Sequence, residues 1–465
     1  MAVTSSIVEV LAGWVGHQRW FAGKGTAPLL RRIGALTFHE DDDLQITTHL
    51  IVDDSGERPV LYQVPVTLRR DRVWPSDHSY IGAVTDAGGE LWHAYDGPHD
   101  PAFAHRLLEV IIEGGDVEGD KARAHGVTAS MRSCRNVRSQ VLSGEQSNTS
   151  IIYTFDSGDD SREHVICKIF RTLHHGENPD VVLQSALFAA GSRSVPATVG
   201  SLVGEWSEPG EGAKQARGHL AFAQEFIAGA EDAWRRALVA AAAAEDFTAS
   251  ARQIGIATAD IHATLASALP TREATQADIA AMVSGWRERL DSAAAEVPEL
   301  NALRSPIEAL YARAQSVTWP RLQRIHGDLH LGQVLAVPGD RWAIIDFEGE
   351  PMRPLAERSL VDVPLRDVAG MLRSFDYVTG AQQSTPGIDD WSHACRKAFI
   401  DGYIQRSGND VRSHRVLLDA FELDKALYEA VYEARNRPAW LPIPTAAVRR
   451  LAQRAHEQHA EEAHG

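Results

Sequence analysis

Two short stretches constrain this chain more than any others: His326-Gly327-Asp328-Leu329-His330-Leu331-Gly332-Gln333 and, shortly after, Ile344-Ile345-Asp346-Phe347-Glu348. The residues between them, 334–343, read as a strand, a Pro-Gly-Asp turn and a second strand, so the two stretches are expected to fold back on each other. That brings Asp328, Gln333 and Asp346 together. Phosphoryl transfer needs such a set: a carboxylate to orient and deprotonate an attacking hydroxyl, an amide oxygen for one metal ion, and a carboxylate bridging metal ions on nucleotide phosphates. His326 and His330 stand at i, i+4 spacing, but no third ligand is indicated, so hydrogen bonds that position the loop are the better reading than a metal pair.

The spacing matches in form the H-R-D-x-x-x-x-N and D-F-G segments of protein kinases, with Gln for Asn and Glu for Gly. Upstream, residues 136–142, 150–155 and 164–170 read as three strands. The turn Ser143-Gly144-Glu145-Gln146-Ser147-Asn148-Thr149 has one glycine and matches neither G-x-G-x-x-G nor a Walker loop, although small hydroxyl and amide residues let backbone N–H groups approach a phosphate. In the third strand, alternation sets Ile166, Lys168 and Phe170 on one face and Val165, Cys167 and Ile169 on the other. Lys168 alone reads equally as a snorkelling edge residue or a phosphate contact. The downstream motif favours phosphate. Residues 178–190 read as a helix with Asp180 helping to cap it, and Glu177 and Asp180 are the nearby acids that could pair with Lys168. Strands at 197–203 and 219–226 follow. Gln224, Glu225 and Phe226 are placed at a connector whose backbone binds adenine, with a hinge at 225–229 and Gly229 allowing the turn.

At 465 residues, 44% apolar and 23% charged, the chain has the composition of a globular protein of two or three domains. A formal net charge of −17 argues against a general binder of nucleic acid or anionic membrane, which needs basic surface. Cys134, Cys167 and Cys395 are too few and too scattered for a disulfide framework or a zinc site, and Cys167 reads as a small buried hydrophobe. No basic segment leads into an apolar run near Met1, and no apolar run is long enough to span a bilayer, so a cytoplasmic location is expected.

Residues 7–14 have helical spacing, and Gln18-Arg19-Trp20-Phe21-Ala22-Gly23-Lys24-Gly25 forms an aromatic and basic turn, read as a staple rather than an anion or sugar site. Short strands at 32–38, 45–52 and 59–68 follow, then a helix at 101–113 and a Gly-Asp-rich connector. The alanine-rich residues 237–265, then 280–295 and 306–317, read as helices of a larger lobe. Beyond Asp346 comes a polar, Pro-rich loop with Glu350, then a helix capped by Asp362. Near the C-terminus Asp424, Glu433, Arg437 and Trp440 form an acidic, guanidinium and indole cluster. It suits a sugar, whose hydroxyls meet charges and whose ring face meets the indole, although a salt-bridge network closed by a core tryptophan is the commoner use of such residues.

Taken together the chain resembles the actinobacterial maltokinases, of the aminoglycoside-phosphotransferase-like branch of the protein-kinase-like fold. The resemblance runs over nearly its whole length. It rests on residues 18–23, Glu145-Gln146-Ser147-Asn148-Thr149-Ser150, 326–333, 346–351, 364–377 and Tyr432-Glu433-Ala434-Arg435-Asn436-Arg437-Pro438. It implies an α+β, bilobal kinase-like fold: an N-terminal β-rich cap (1–100), a small β-rich lobe (101–226) and a helical lobe (227–465). It also implies ATP-dependent transfer of the γ-phosphoryl group to the anomeric hydroxyl of maltose, giving maltose 1-phosphate for α-glucan and glycogen synthesis, with Mg²⁺ as cofactor, in a monomer that takes a small sugar. Asp328 is then the catalytic base and Gln333 and Asp346 are metal ligands. Lys168 and residues Ser147, Asn148, Thr149 and Ser150 hold the nucleotide phosphates, and Glu348, Glu350, Asp424, Arg437 and Trp440 contact the sugar. The family's glutamate is replaced by Val182, which leaves the partner of Lys168 open. Related kinases with the same cap act on glucosamine, so glucosamine or another hexose or aminoglycoside is the alternative acceptor, ahead of a non-catalytic nucleotide-binding protein.

Overall fold

The computed structural model describes residues 6–72, 79–86, 88–130, 137–142, 147–156, 162–208, 214–339, 341–350 and 353–464, the side chains only as far as 457. Cys134, Ser143 to Gln146, and Pro351 therefore lie outside the described residues. The chain divides into two compact units, one of Met1–Val181 and Pro196–Ala228, the other of Val182–Val195 and Gly229–Gly465.

The first unit opens with helix α1 (Ile7–Val15), started by a reciprocal capping box between Ser6 and Glu9. Five strands follow: β1 (Leu30–Glu40), β2 (Leu44–Asp53), β3 (Val60–Arg69), β4 (Tyr80–Thr85) and β5 (Leu91–Asp96), paired antiparallel in the order β1-β2-β3-β5-β4. The central strands are apolar on both faces because each face has its own cover. Ile51, Tyr62, Val64 and Val66 pack with Leu11, Trp14 and Trp20, whereas Leu50, Val52 and Leu61 pack with helix α2 (Pro101–Glu113) and the second sheet. Trp20 is 8% exposed in the first of these clusters, which is the staple role.

The second sheet comprises β6 (Asp116–Glu118), β7 (Ala122–Thr128), β8 (Val137–Val141), β9 (Thr149–Asp156), β10 (Arg162–Ile169), β11 (Thr198–Ser207) and β12 (Gln215–Glu225), in the order β6-β7-β11-β12-β10-β9-β8. β6 and β7 occupy the stretch read as a connector. Their inward residues are mostly small, Ala122 and Ala124 among them, so they carry little of the hydrophobic alternation that marks a strand. The two sheets share a buried polar joint. Arg171, fully buried, donates from Nε to Thr149 Oγ1 at 2.8 Å and from Nη2 to Asp96 at 3.0 Å, with its guanidinium 4.7 Å over the Trp20 ring. Gln63 Nε2 donates to the carbonyls of Phe170 and Leu220.

Helix α3 (Pro179–Ala189) begins in the first unit and continues into the second. Its cap is Asn178, whose side-chain oxygen accepts from Asp180 N at 2.9 Å, rather than Asp180 itself. In the second unit the alanine-rich stretch is two helices, α4 (Ala233–Ala242) and α5 (Thr248–Ala268), broken where Ala244 takes a φ of 53°. Then come α6 (Gln276–Glu296), α7 (Arg304–Ser316), the hairpin β13 (Val334–Val337) and β14 (Arg341–Ile344), one-turn α8 (Leu355–Arg358), α9 (Leu365–Ala381), α10 (Ile388–Ser407), α11 (Arg415–Asn436) and α12 (Pro442–His464). Helices α5 and α10 approach almost backbone to backbone. A Cβ on Gly255 would sit 2.1 Å from the Phe399 carbonyl, and one on Gly402 would sit 2.1 Å from that of Arg252. No helix among the described residues is long and apolar enough to cross a membrane.

Candidate functional site

The His326 to Gln333 loop is held from below by one buried carboxylate. Asp367, on α9 and 1% exposed, accepts from the backbone N–H of His326 and of Gly327, both at 2.8 Å, and from His262 Nε2 at 2.9 Å. Burial raises its proton affinity, but the His262 hydrogen bond, with the charges of His262 and His326, holds it below the usual carboxylate range. His326 is fixed in turn. Its Nε2 donates to the Ile345 carbonyl at 2.9 Å, which leaves Nδ1 to accept from Asp328 N at 3.3 Å. Gly327 takes a φ of 85°, and a side chain on Gly370 of α9 would come within 2.6 Å of the Leu329 carbonyl, so both glycines let the loop lie close to the helix.

The hairpin does what its sequence implies. Val334 pairs with Ile344, Ile345 N donates to the Gln333 carbonyl at 3.0 Å, and Gln333 Nε2 donates to Asp346 Oδ2 at 3.0 Å. Asp346 has a φ of 66°, a left-handed conformation that costs a non-glycine residue about 1–2 kcal/mol and recurs at functional positions. A carboxylate oxygen of Glu348 lies within 4.8 Å of one of Asp346, so Glu348 stands beside the expected metal ligands.

Asp328 opens into a cavity lined also by Arg289, Glu350, Arg366, Asp424, Lys425 and Tyr428. Lys425 Nζ, from α11, lies 2.9 Å from Asp328 Oδ1 and 3.8 Å from Glu350 Oε1. Burial pushes the Asp328 carboxyl up, but the charges of Lys425 and His330 bring it below its ordinary value, so it is ionised at neutral pH. Burial works against the Lys425 ammonium, yet the charges of Asp328, Glu350 and Glu429 raise its pKa well above that of a free lysine. Asp424 faces Arg289 at 2.7 Å and Arg366 at 3.4 Å, and Glu350 has Arg353 at 3.5 Å. Asp362 pairs with Arg366 at 2.7 Å and does not cap α9, whose first turn has no side-chain cap.

Arg437 and Trp440 lie elsewhere. From Asp424 to Arg437 the helix advances about 20 Å at 1.5 Å per residue. There Arg437 pairs with Glu433, and Trp440 stacks on Tyr377 with ring centroids 6.1 Å apart. Neither lines the cavity at Asp328. Lys425, Arg289, Arg366 and Asp367 are the residues that sequence reasoning missed. Their signal was a set of charges on otherwise apolar helices, most plainly in Leu365-Arg366-Asp367-Val368.

In the first unit Lys168 Nζ lies 3.0 Å from Asp180 Oδ2, with Asp180 1% exposed. Of the two acids near the helix start, Asp180 thus pairs with Lys168. Thr149 and Ser150 belong to buried β9, where Ser150 pairs with Lys168 and the Thr149 hydroxyl oxygen accepts from Arg171. Only Ser147 and Asn148 of the four proposed loop residues precede the strand. The N–H groups of Glu225 and Phe226 are already used, donating to the carbonyls of Ala197 and His164, so they do not offer donors to an adenine. Gln224 Oε1 is buried without a hydrogen-bond partner among the described residues. Cys167 and Cys395 are buried thiols that desolvation pushes up to about 12, far from a reactive thiolate.

Residues 14–100 match the maltokinase N-terminal cap domain family, and residues 144–417 match the phosphotransferase enzyme family called APH. The glucosamine kinase of Streptacidiphilus jiangxiensis is 32% identical over 247 residues, which is 48% of this chain and 56% of that relative. The glucosamine kinase of Mycolicibacterium smegmatis is 28% identical over 391 residues, 79% of this chain and 92% of its own length. A solved structure of a glucosamine kinase in complex with glucosamine, ADP and inorganic phosphate superposes with a TM-score of 0.68 over 96% of this chain and 99% of that one, at 22% identity. The fold is thus the kinase-like one, with a β-rich N-terminal part, a helical C-terminal part and the cap at the N-terminus.

Proposed function

The chain belongs to the phosphotransferase enzyme family, and from that membership we propose that it is an ATP-dependent sugar kinase that phosphorylates the anomeric hydroxyl of maltose, giving maltose 1-phosphate for α-glucan synthesis. The observation that carries this reading is the Lys425 ammonium 2.9 Å from Asp328. Asp328 is ionised, and as general base it takes the proton of the attacking hydroxyl. Lys425 fixes its orientation. Glu350 and Asp424 bind sugar hydroxyls from the same cavity, whereas Arg437 and Trp440 leave the list of first-ring contacts because they stand about 20 Å along the helix.

On the nucleotide side, Lys168 is aimed by Asp180 at the phosphates, Ser147 and Asn148 offer backbone donors, and the buried Gln224 Oε1 is an acceptor suited to an adenine amine. Gln333 and Asp346, with Glu348 alongside, are oxygen donors of the hard type Mg²⁺ takes. The ion would neutralise phosphate charge during transfer.

Charge decides between acceptors. Each carboxylate of the Asp328 cavity already faces a lysine or an arginine. Lys425, 2.9 Å from Asp328 and 3.8 Å from Glu350, would repel a sugar ammonium, so a neutral, hydroxyl-rich sugar fits better. The cap match over residues 14–100 is compatible with either acceptor. Glucosamine is the second reading, favoured by the relative that aligns with 79% of the chain. An ADP-release assay of the purified protein with maltose, glucose, glucosamine and an aminoglycoside tests this. Maltose is expected to give the highest kcat/KM; a preference for glucosamine overturns the acceptor assignment.

A further inference from the structure

A second cavity in the helical unit lies between α10 and α12, over α9, and shares no lining residue with the Asp328 pocket. Its charged lining is Arg396 from α10, Arg450 and Arg454 from α12, Asp376 from α9, and Asp389 and His393. Asp376 is shared three ways, accepting from Arg373 at 2.6 Å, Arg396 at 3.0 Å and Arg450 at 2.7 Å. Arg373 and Arg396 have second partners in Glu429 and Glu422, each at 2.6 Å. Arg450 has no second carboxylate among the described residues. Arg454 shares Asp419 with Arg415, each at 2.9 Å, and its buried Nε has no hydrogen-bond partner among the described residues.

Arg450 and Arg454 are four residues apart, so both guanidiniums rise from one face of α12, where each already meets a carboxylate, Asp376 and Asp419. Burial, together with Arg415 and Arg450, lowers the proton affinity of Arg454 against the pull of Asp419 and of Glu422, 4.0 Å away. Ile388, Ile443 and Ala446 give the cavity an apolar side, and Thr379, Gln383 and Ser392 add neutral polar groups. An apolar wall with a few convergent donors is the usual build of a small-molecule site. Three guanidiniums converging in a chain of net charge −17 are not part of a general basic surface.

We propose that this cleft is a second ligand site, separate from the Asp328 pocket, that takes a phosphate monoester. The phosphate is held by Arg450 and Arg454, with Arg396 behind them, and the body of the ligand rests against Ile388 and Ile443. Guanidiniums suit this role because they donate paired hydrogen bonds to phosphate oxygens.

The test is thermal unfolding and calorimetry of the full chain with glucose 1-phosphate as the monoester probe, inorganic phosphate as the bare anion, and chloride at matched ionic strength. Glucose 1-phosphate is expected to raise the melting temperature of the wild type, of Lys168→Met and of Glu350→Gln equally, which separates this cleft from the nucleotide side and from the sugar pocket at Asp328. Arg450→Gln/Arg454→Gln should bind the probe at least about tenfold more weakly. A smaller shift with inorganic phosphate supports contacts to the ligand body, and an equal shift supports the site with phosphate alone as its recognised group. The proposal is overturned if the wild type does not respond beyond chloride, if the double variant keeps the shift, or if Lys168→Met or Glu350→Gln loses it. Should the double variant unfold, Arg450→Gln decides the matter alone, since that side chain is 44% exposed.

Discussion

Each unit of this chain contains a lysine and an aspartate at bonding distance, Lys168–Asp180 at 3.0 Å and Lys425–Asp328 at 2.9 Å, and the two pairs divide the labour in opposite ways. Asp180 is 1% exposed and sits at a helix start with its backbone capped by Asn178, so the carboxylate is the fixed member and the lysine is what it presents. In the helical unit the fixed member is also the aspartate, because its loop is tied to Asp367, but there the lysine is the accessory and the aspartate is what the pair presents. In the proposed function the same two side chains would make a phosphate-binding cation in one place and an ionised base in the other. What differs is the exposure of the aspartate, 1% for Asp180 against 20% for Asp328, so only the second pair leaves its carboxylate within reach of a ligand.

The largest expected effect comes from breaking the second pair on its functional side. Asp328→Asn should lower kcat by about 10²–10⁴-fold, the usual worth of a general base, while calorimetry finds ATP affinity little changed. Breaking the first pair should act on binding. Asp180→Asn is expected to raise the KM for ATP about tenfold and leave the sugar KM in place; a change in the sugar KM alone would reverse the assignment of the two pairs. A subtler effect follows from Lys425→Met. Burial pushes Asp328 up and Lys425 is the first of the opposing charges, so removing it raises the base's pKa. The acid limb of the kcat/KM profile should then move to higher pH, and an unmoved limb would mean that Lys425 does not govern Asp328.

The smallest effect at neutral pH concerns a group with no such partner. His49, on β2, is buried with neither ring nitrogen hydrogen-bonded among the described residues, and burial lowers its pKa to about 3. Above the ordinary value of 6.5 both folded and unfolded chains leave it neutral, so it contributes no pH dependence there. As pH falls from 6.5 towards 3 the unfolded chain takes a proton that the folded one refuses, and stability is lost at up to about 1.4 kcal/mol per pH unit. Urea titrations of the wild type and His49→Leu at neutral and mildly acid pH should diverge only on the acid side.

The sequence made the local parts of this structure legible and left the distant ones hidden. Strand alternation placed Lys168 opposite Cys167 and Val165, and the hairpin between Gln333 and Asp346 followed from apolar residues flanking a turn. Asp367 and Lys425 were invisible for a physical reason. Each lies on a helix far along the chain from Asp328, and a charged residue on a helix reads as a solvent-facing one until packing shows which face is covered. Glu350 and Asp424, picked for their chemistry, lie in the Asp328 cavity, whereas Arg437 and Trp440, picked on the same grounds, do not, because about three and a half turns of helix separate them from it. β6 and β7 went unread because alanine gives little strand signal.

In the proposed mechanism Asp328, held ionised by Lys425, activates a sugar hydroxyl. The most direct test is maltose-dependent ADP release by the wild type and Asp328→Asn measured side by side, with ATP binding confirmed for both. The account predicts turnover in the wild type and its near abolition in the variant at unchanged ATP affinity. Equal turnover in the two proteins would contradict it.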